Sequence, residues 1–198
     1  MGTLVLAGAT SGSTTLTPVD AVTTVLTLPS ATATLATLGA NTFTGNQSIT
    51  GTVTMPAQPA FLAYNSASDL NVTGNGAVAT VDFDTEIFDQ GSNFAADTFT
   101  APVTGRYRFS TSVYLYGIVA ATGVLLELVT SNRTYSLVYS GATVTGDQQI
   151  SGSALCDMDS ADTAFVRVIV TGMAGDTADI LGASSSVLYT YFSGELVC

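Results

Sequence analysis

The stretch Phe99-Thr100-Ala101-Pro102-Val103-Thr104-Gly105-Arg106-Tyr107-Arg108-Phe109 constrains the fold of this chain more than any other. Pro102 presets φ and Gly105 carries no Cβ, so the pair marks a turn. Beyond it the residues alternate. Tyr107, Phe109, Thr111, Val113 and Leu115 fall on one face of an extended chain; Arg106, Arg108, Ser110, Ser112 and Tyr114 fall on the other. A tight turn therefore launches a long, half-buried strand.

The same period of two recurs along the chain. Strands are expected at Phe61–Asn65, Ala77–Phe83, Arg106–Tyr116, Val124–Thr130, Thr134–Tyr139, Gln148–Leu155, Ala164–Val170 and Val187–Phe192. Turn-rich links such as Thr73-Gly74-Asn75-Gly76, Thr145-Gly146-Asp147 and Gly172-Met173-Ala174-Gly175-Asp176 separate them. No segment holds a 3.6-residue period. The expectation is an all-β chain of about ten strands, a sandwich or jelly roll.

The first 57 residues differ from the rest. They contain one charged residue, Asp20, one aromatic, Phe43, and sixteen threonines. Leu4 with Leu6, Leu26 with Leu28 and Val53 with Met55 alternate among small polar residues, and glycines punctuate the runs. One such chain buries little by itself, so the segment is expected to be disordered alone or intertwined with copies of itself. Met55-Pro56-Ala57-Gln58-Pro59 reads as a joint, dividing the chain into a segment 1–57 and a head 58–198.

Charge narrows the function. Only 10% of residues are charged, four arginines are the only cations, and the formal net charge is −11. Nucleic acids and anionic membranes both demand basic patches, so neither is an expected partner. Mean hydropathy is +0.43, yet no window approaches the ~20 apolar residues of a spanning helix. The most apolar run, Ile118 to Val129, is broken by Gly123 and Glu127. The apolar, charge-poor surface is therefore expected in subunit contacts. No secretory or myristoylation signal stands at the start, so assembly in a cytosol is expected. Cys156 and Cys198 are two free thiols or one bridge, and the lack of an export signal leans toward free thiols.

The block Phe-Thr-Ala-Pro, two residues, Gly, any, Tyr, any, Phe at residues 99–109 resembles the signature of the complement C1q head, a trimeric jelly roll related to the tumour-necrosis-factor fold. Pro59–Tyr64 resembles that family's opening strand, Val81–Asp84 the strand before the signature, and Phe192–Val197 the closing strand. The resemblance covers roughly residues 58 to 198. It implies a homotrimer, with the closing strand near the three-fold axis and Tyr189, Tyr191, Phe109 and Tyr107 at the subunit interface. Gly2–Gly8 and Asn41–Gly51 resemble the low-complexity shafts of bacteriophage fibre proteins.

Catalytic chemistry finds little to work with. With no His and no Lys, the usual bases that activate Ser or Cys are absent, and a closed zinc site lacks ligands. Asp82, Asp84 and Glu86 share one strand face, but a glycosidase pair flanks a cleft rather than one edge, so they read as structural and no enzyme is expected. Asp157, Asp159 and Asp162 are the densest acidic cluster; they read as a solvated turn or, less readily, as oxygen ligands for calcium, the single cofactor considered. Tyr114, Tyr116, Tyr135 and Tyr139 are further candidates for a sugar or receptor platform. Asn46, Asn71 and Asn132 begin Asn-X-Ser/Thr triplets, which arise by chance in so Thr-rich a chain.

The resulting expectation is a homotrimeric fibre or spike on a virus particle, which the shaft resemblance implies is a bacteriophage. Residues 1–57 would contact other virion proteins, and the head would bind a host-surface glycan or protein. Ligand contacts are expected from loops at the far end of the head, through Asn75, Thr122, Thr145 and Asp176. The alternative is a capsid decoration or head-fibre protein that recognises no receptor.

Overall fold

The computed structural model describes residues 46–183 and 186–198. Most of the expected shaft, residues 1–45, lies outside the described residues. The described residues of the head form thirteen strands: β1 (Ala60–Tyr64), β2 (Asp69–Thr73), β3 (Val78–Thr80), β4 (Thr85–Gln90), β5 (Phe94–Ala95), β6 (Thr98–Thr100), β7 (Gly105–Tyr116), β8 (Gly123–Thr130), β9 (Thr134–Ser140), β10 (Gln148–Met158), β11 (Thr163–Thr171), β12 (Ala178–Ile180) and β13 (Tyr191–Leu196). No helix occurs among the described residues. Two antiparallel sheets pack face to face as a jelly roll. One runs β4-β1-β13-β7, with β10 and the β12-β2 pair also joined to β7; the other runs β5-β6-β11-β8-β9, with β3 joined to β11.

Strand alternation builds the core. In β8, Val124, Leu126 and Leu128 point inward, and in β11 Ala164, Val166, Val168 and Val170 meet them. The outward residues Glu127 and Arg167 oppose each other in register and pair at 2.6 Å. Against this aliphatic half packs an aromatic one. Phe61 of β1 stacks on Phe94 (4.7 Å) and Phe99 (5.1 Å) and meets Phe192 edge-on (5.0 Å). Gly194 in β13 makes room for this: a Cβ there would stand 2.6 Å from both Phe61 and Phe109.

The ends of the sandwich differ. At the root, where Pro59 enters, Leu196 N–H donates to Pro59 O (3.0 Å) and Arg106 N–H to Cys198 O (2.7 Å). The strands run from there to a tip, where β7 ends and β8 begins.

Two expected elements shift. The strand expected at Ala77–Phe83 is only β3, because Val81 onward leaves the ladder with a single bond from Val81 N–H to Val166 O. The strand expected at Val187–Phe192 starts at Tyr191, since the preceding residues turn, while the closing strand drawn from the family signature, Phe192–Val197, lies within one residue of β13. β2 and β4 are additional strands on the first sheet. Both cysteines are free: Cys156 is buried and Cys198 exposed.

Candidate functional site

The four loops expected to carry a ligand converge at the tip. Each closes a strand that ends there: Gly74–Gly76 after β2, 117–122 after β7, 141–147 after β9 and 172–177 after β11. Backbone hydrogen bonds tie them together. Met173 N–H donates to Gly74 O (3.0 Å), Gly146 N–H to Ile118 O (2.9 Å) and Thr122 N–H to Thr171 O (2.8 Å), and Ala121 and Val144 exchange a bridge pair. Buried Ile118 and Met173 anchor two of the loops in the core. Side chains add cross-links: Asn75 N–H donates to Asp176 Oδ1 (2.7 Å), and Ala120 N–H to Thr145 Oγ1 (3.1 Å). Gly74, at φ 150°, lies so close to the Gly175 carbonyl that a Cβ would collide with it, and Gly172 is as close to Thr122. The platform is thus set before any ligand arrives.

Asn75, Thr122, Thr145 and Asp176 are all exposed on that platform. Their neighbours are Thr143, Asp147 and Thr177, with Val119 projecting between them. No arginine lies here: Arg106 and Arg108 open β7 at the root, Arg133 follows β8 at the root, and Arg167 is mid-strand against Glu127. The tip therefore offers hydroxyls, amides and carboxylates, a surface that hydrogen-bonds a neutral or cationic partner and repels an anionic one.

The other candidates fall elsewhere. Tyr107 (0% exposed) and Phe109 (1%) belong to the subunit's own core, where Tyr107 OH donates to Val103 O (2.8 Å). The expectation that these two face a neighbouring subunit is corrected: their strand face is already covered by the second sheet. Tyr189 and Tyr191 do reach the surface, and Tyr189 meets Tyr114 edge-on at 5.6 Å. Tyr114 OH donates to Asp147 Oδ2 (3.3 Å), tying the outer face of the first sheet to the tip.

Asp157, Asp159 and Asp162 do not converge. Asp157 pairs with Arg133 at 2.6 Å, and Asp162 accepts Asp159 N–H (2.8 Å) and Asn132 Nδ2 (2.9 Å). They stabilise the β10–β11 turn, and among the described residues no group of three acidic, His or Cys side chains is arranged to hold a metal ion. The less favoured of the two readings, oxygen ligation of calcium, finds no such group among the described residues.

Asp82 and Asp84 keep separate hydrogen-bond partners. Asp84 accepts Ser66 N–H (2.9 Å) and Ser66 Oγ (2.7 Å), and these bonds hold its carboxyl below the usual carboxylate range despite desolvation. Asp97, from the β5–β6 turn, accepts Phe83 N–H (2.7 Å) and hydrogen-bonds Asp82. Desolvation, that bond and the facing charges of Asp97, Asp69 and Asp84 push Asp82 up to about 6. A carboxyl whose folded pKa lies above its unfolded value of 3.8 stabilises the fold when protonated. Its contribution grows as pH falls through about 6 and is complete below 3.8. Asp82→Asn is accordingly expected to raise the urea midpoint at pH 7.5 and to have a shrinking effect toward pH 4.5. A pH-independent difference would rule out the repulsion.

Comparison with known proteins follows the fold. A family model described as C1q domain matches residues 60–197. No curated protein matches the chain. Among solved structures, the globular domain of zebrafish complement 1qA protein is 17% identical, with a TM-score of 0.48, covering 71% of this chain and 98% of that one. Murine APRIL at pH 8.5 is 10% identical, also at a TM-score of 0.48, covering 71% and 99%.

Proposed function

The chain belongs to the C1q domain family, and from that premise we propose that it is a homotrimeric attachment protein on the surface of a virus particle, with residues 1–57 as its shaft. The observation that carries this reading is the rigid platform of four cross-tied loops at the tip, opposite the root where Pro59 enters. Loops held by a rigid scaffold are where binding residues concentrate. Three such tips on one stem convert weak contacts into durable attachment, because the second and third contacts form at high effective concentration. The Thr-rich, nearly uncharged composition of the first 57 residues and their likeness to bacteriophage shafts support a virion setting.

The tip's chemistry narrows the ligand to a neutral, hydroxyl-rich glycan or a cationic protein surface, in view of Asp147 and Asp176 and the absence of any arginine there among the described residues. Asp176→Lys, which breaks the bond to Asn75 and reverses the charge, is expected to reduce attachment at least tenfold. The test is binding of fluorescent full-length protein to a panel of bacterial cells, with emptied capsids as comparison. Saturable cell binding lost in Asp176→Lys supports attachment. Binding to capsids alone supports the second reading, a capsid decoration.

A further inference from the structure

The outward face of the second sheet carries an apolar row that strand alternation does not explain. Registered residues on β9, β8, β11 and β3 read Tyr139, Leu125, Ile169, Val78. Tyr139 is 73% exposed and Val78 56%, and Leu125 and Ile169 between them are half-buried. Four strands at about 4.8 Å spacing make the row roughly 14 Å long. The core is already filled from the opposite face of these strands by Val124, Leu126, Val168 and Val170. Apolar side chains that are grouped rather than scattered on an outer face mark a contact surface.

Polar groups border the row on both sides. Toward the root, the next registered row reads Ser136, Glu127, Arg167, Thr80. Arg167 Nε donates to Glu127 Oε2 at 2.6 Å, which leaves the terminal guanidinium nitrogens unused among the described residues, on a side chain that is 31% exposed. Toward the tip the surface is low. A Cβ on Gly123 would stand 2.6 Å from Thr171 Oγ1, and one on Gly141 would stand 3.0 Å from the Tyr139 hydroxyl and 3.4 Å from its ring. The Tyr139 ring therefore leans over glycine with one face and leaves the other open. A bare aromatic face beside hydroxyls and an arginine with free donors is the chemistry that holds a sugar: the ring takes the apolar face of a pyranose, and the polar groups take its hydroxyls. Charge selects the class of sugar. Glu127 and Arg167 cancel, so the face has no surplus cation to receive an anionic polymer, nor a second copy of a chain that carries a net charge of −11.

We propose that the outward face of the second sheet binds a neutral polysaccharide, with one sugar ring stacked on Tyr139, the polymer lying across Leu125 and Ile169 toward Val78, and Arg167 donating to its hydroxyls. This flank site goes beyond the tip platform. Ring stacking and a few solvent-exposed hydrogen bonds are weak singly, so the flank adds to the tip and does not replace it in cell attachment. The site lies within one subunit, so it holds whatever the number of chains in the assembly.

The test runs the full-length protein through native gels cast with dextran, mannan or galactan, three neutral polysaccharides, and with dextran sulfate as the anionic counterpart. The expected result is retardation by at least one neutral polymer and none by dextran sulfate. Tyr139→Ala, at a solvent-facing position, is expected to keep the light-scattering mass of the unmodified protein and to weaken retardation at least about fivefold, since the stacked ring is lost. Tyr139→Trp places the single tryptophan in the chain; it is expected to keep retardation, and its emission to move to the blue as the polymer is added. Retardation by no neutral polymer overturns the proposal, as does retardation by dextran sulfate alone. Retardation of Tyr139→Ala equal to that of the unmodified protein, or a tryptophan emission that does not move, places the polymer elsewhere and overturns it too. A lower mass for Tyr139→Ala overturns it in favour of a contact between copies.

Discussion

Phe61→Ala is expected to cost about 3–5 kcal/mol of folding stability, the range for truncating a buried phenylalanine. Phe61 is the hub of the aromatic half of the core. Its ring lies 4.7 Å from Phe94, 5.1 Å from Phe99, 5.0 Å from Phe192 and 6.4 Å from Phe109. Those four rings come from β5, β6, β13 and β7, so the cavity opens between both sheets and no single strand can collapse to fill it. Urea unfolding at fixed protein concentration measures the loss, since assembly makes the midpoint concentration-dependent. Gly194→Ala attacks the same place from the opposite side. The new methyl would stand 2.6 Å from Phe61 and Phe109, and overpacking of this kind costs about 1–3 kcal/mol. A loss below about 1 kcal/mol for Phe61→Ala would mean that the rings are not the centre of the core.

The second large effect falls on binding. Gly74→Val is expected to abolish attachment while leaving the assembled mass unchanged. Gly74 has φ 150° and presses against the Gly175 carbonyl, with Met173 N–H bonded to its own carbonyl. A β-branched side chain cannot hold that backbone, and its Cβ would meet Gly175 O. The Gly74–Gly76 and 172–177 loops must then separate, which displaces Asn75 and Asp176 together. The core below them and the outward face of the first sheet are untouched. Measuring cell attachment beside light-scattering mass separates the two effects: lost attachment at three-chain mass places the ligand at the tip, and full attachment moves it elsewhere.

Much of this fold was legible because strand alternation is a local property. The run from Tyr107 to Leu115 placed its inward residues correctly, and that same alternation put Tyr107 and Phe109 on one face with buried Val113 and Leu115. Assigning the two to a subunit interface overrode the sequence's own signal that they belong to the core. β4 was hidden for a local reason: a bulge between Leu62 and Ala63 shifts the register and leaves adjacent Ile87 and Phe88 both exposed, so the period of two is lost. β2 contains Asn71 at φ 58°, which a strand pattern does not anticipate. In the last strand, Tyr189 and Tyr191 alternate convincingly, yet the ladder runs from Tyr191 on to Leu196, across a glycine that sequence reasoning treats as a breaker. Gly194 is there because Phe61 and Phe109 need the space.

The tip was legible only as four separate turns. Each was visible from its glycines, but their meeting depends on strand order, which brings the ends of β2, β7, β9 and β11 to one place. The carboxylates failed in the reverse sense. Spacing placed Asp157, Asp159 and Asp162 in one cluster, whereas Arg133 takes the Asp157 carboxylate and Asn132 bridges the Asp157 carbonyl to Asp162 Oδ2. Long-range partners decide such clusters, and local spacing does not contain them.

The most direct test of the whole account is the mass of the full-length protein in solution by light scattering at neutral pH. The account predicts three times 20.1 kDa, retained on dilution through the concentration range of the attachment assay. A mass of 20.1 kDa would contradict it, leaving the three-tip mechanism without its avidity.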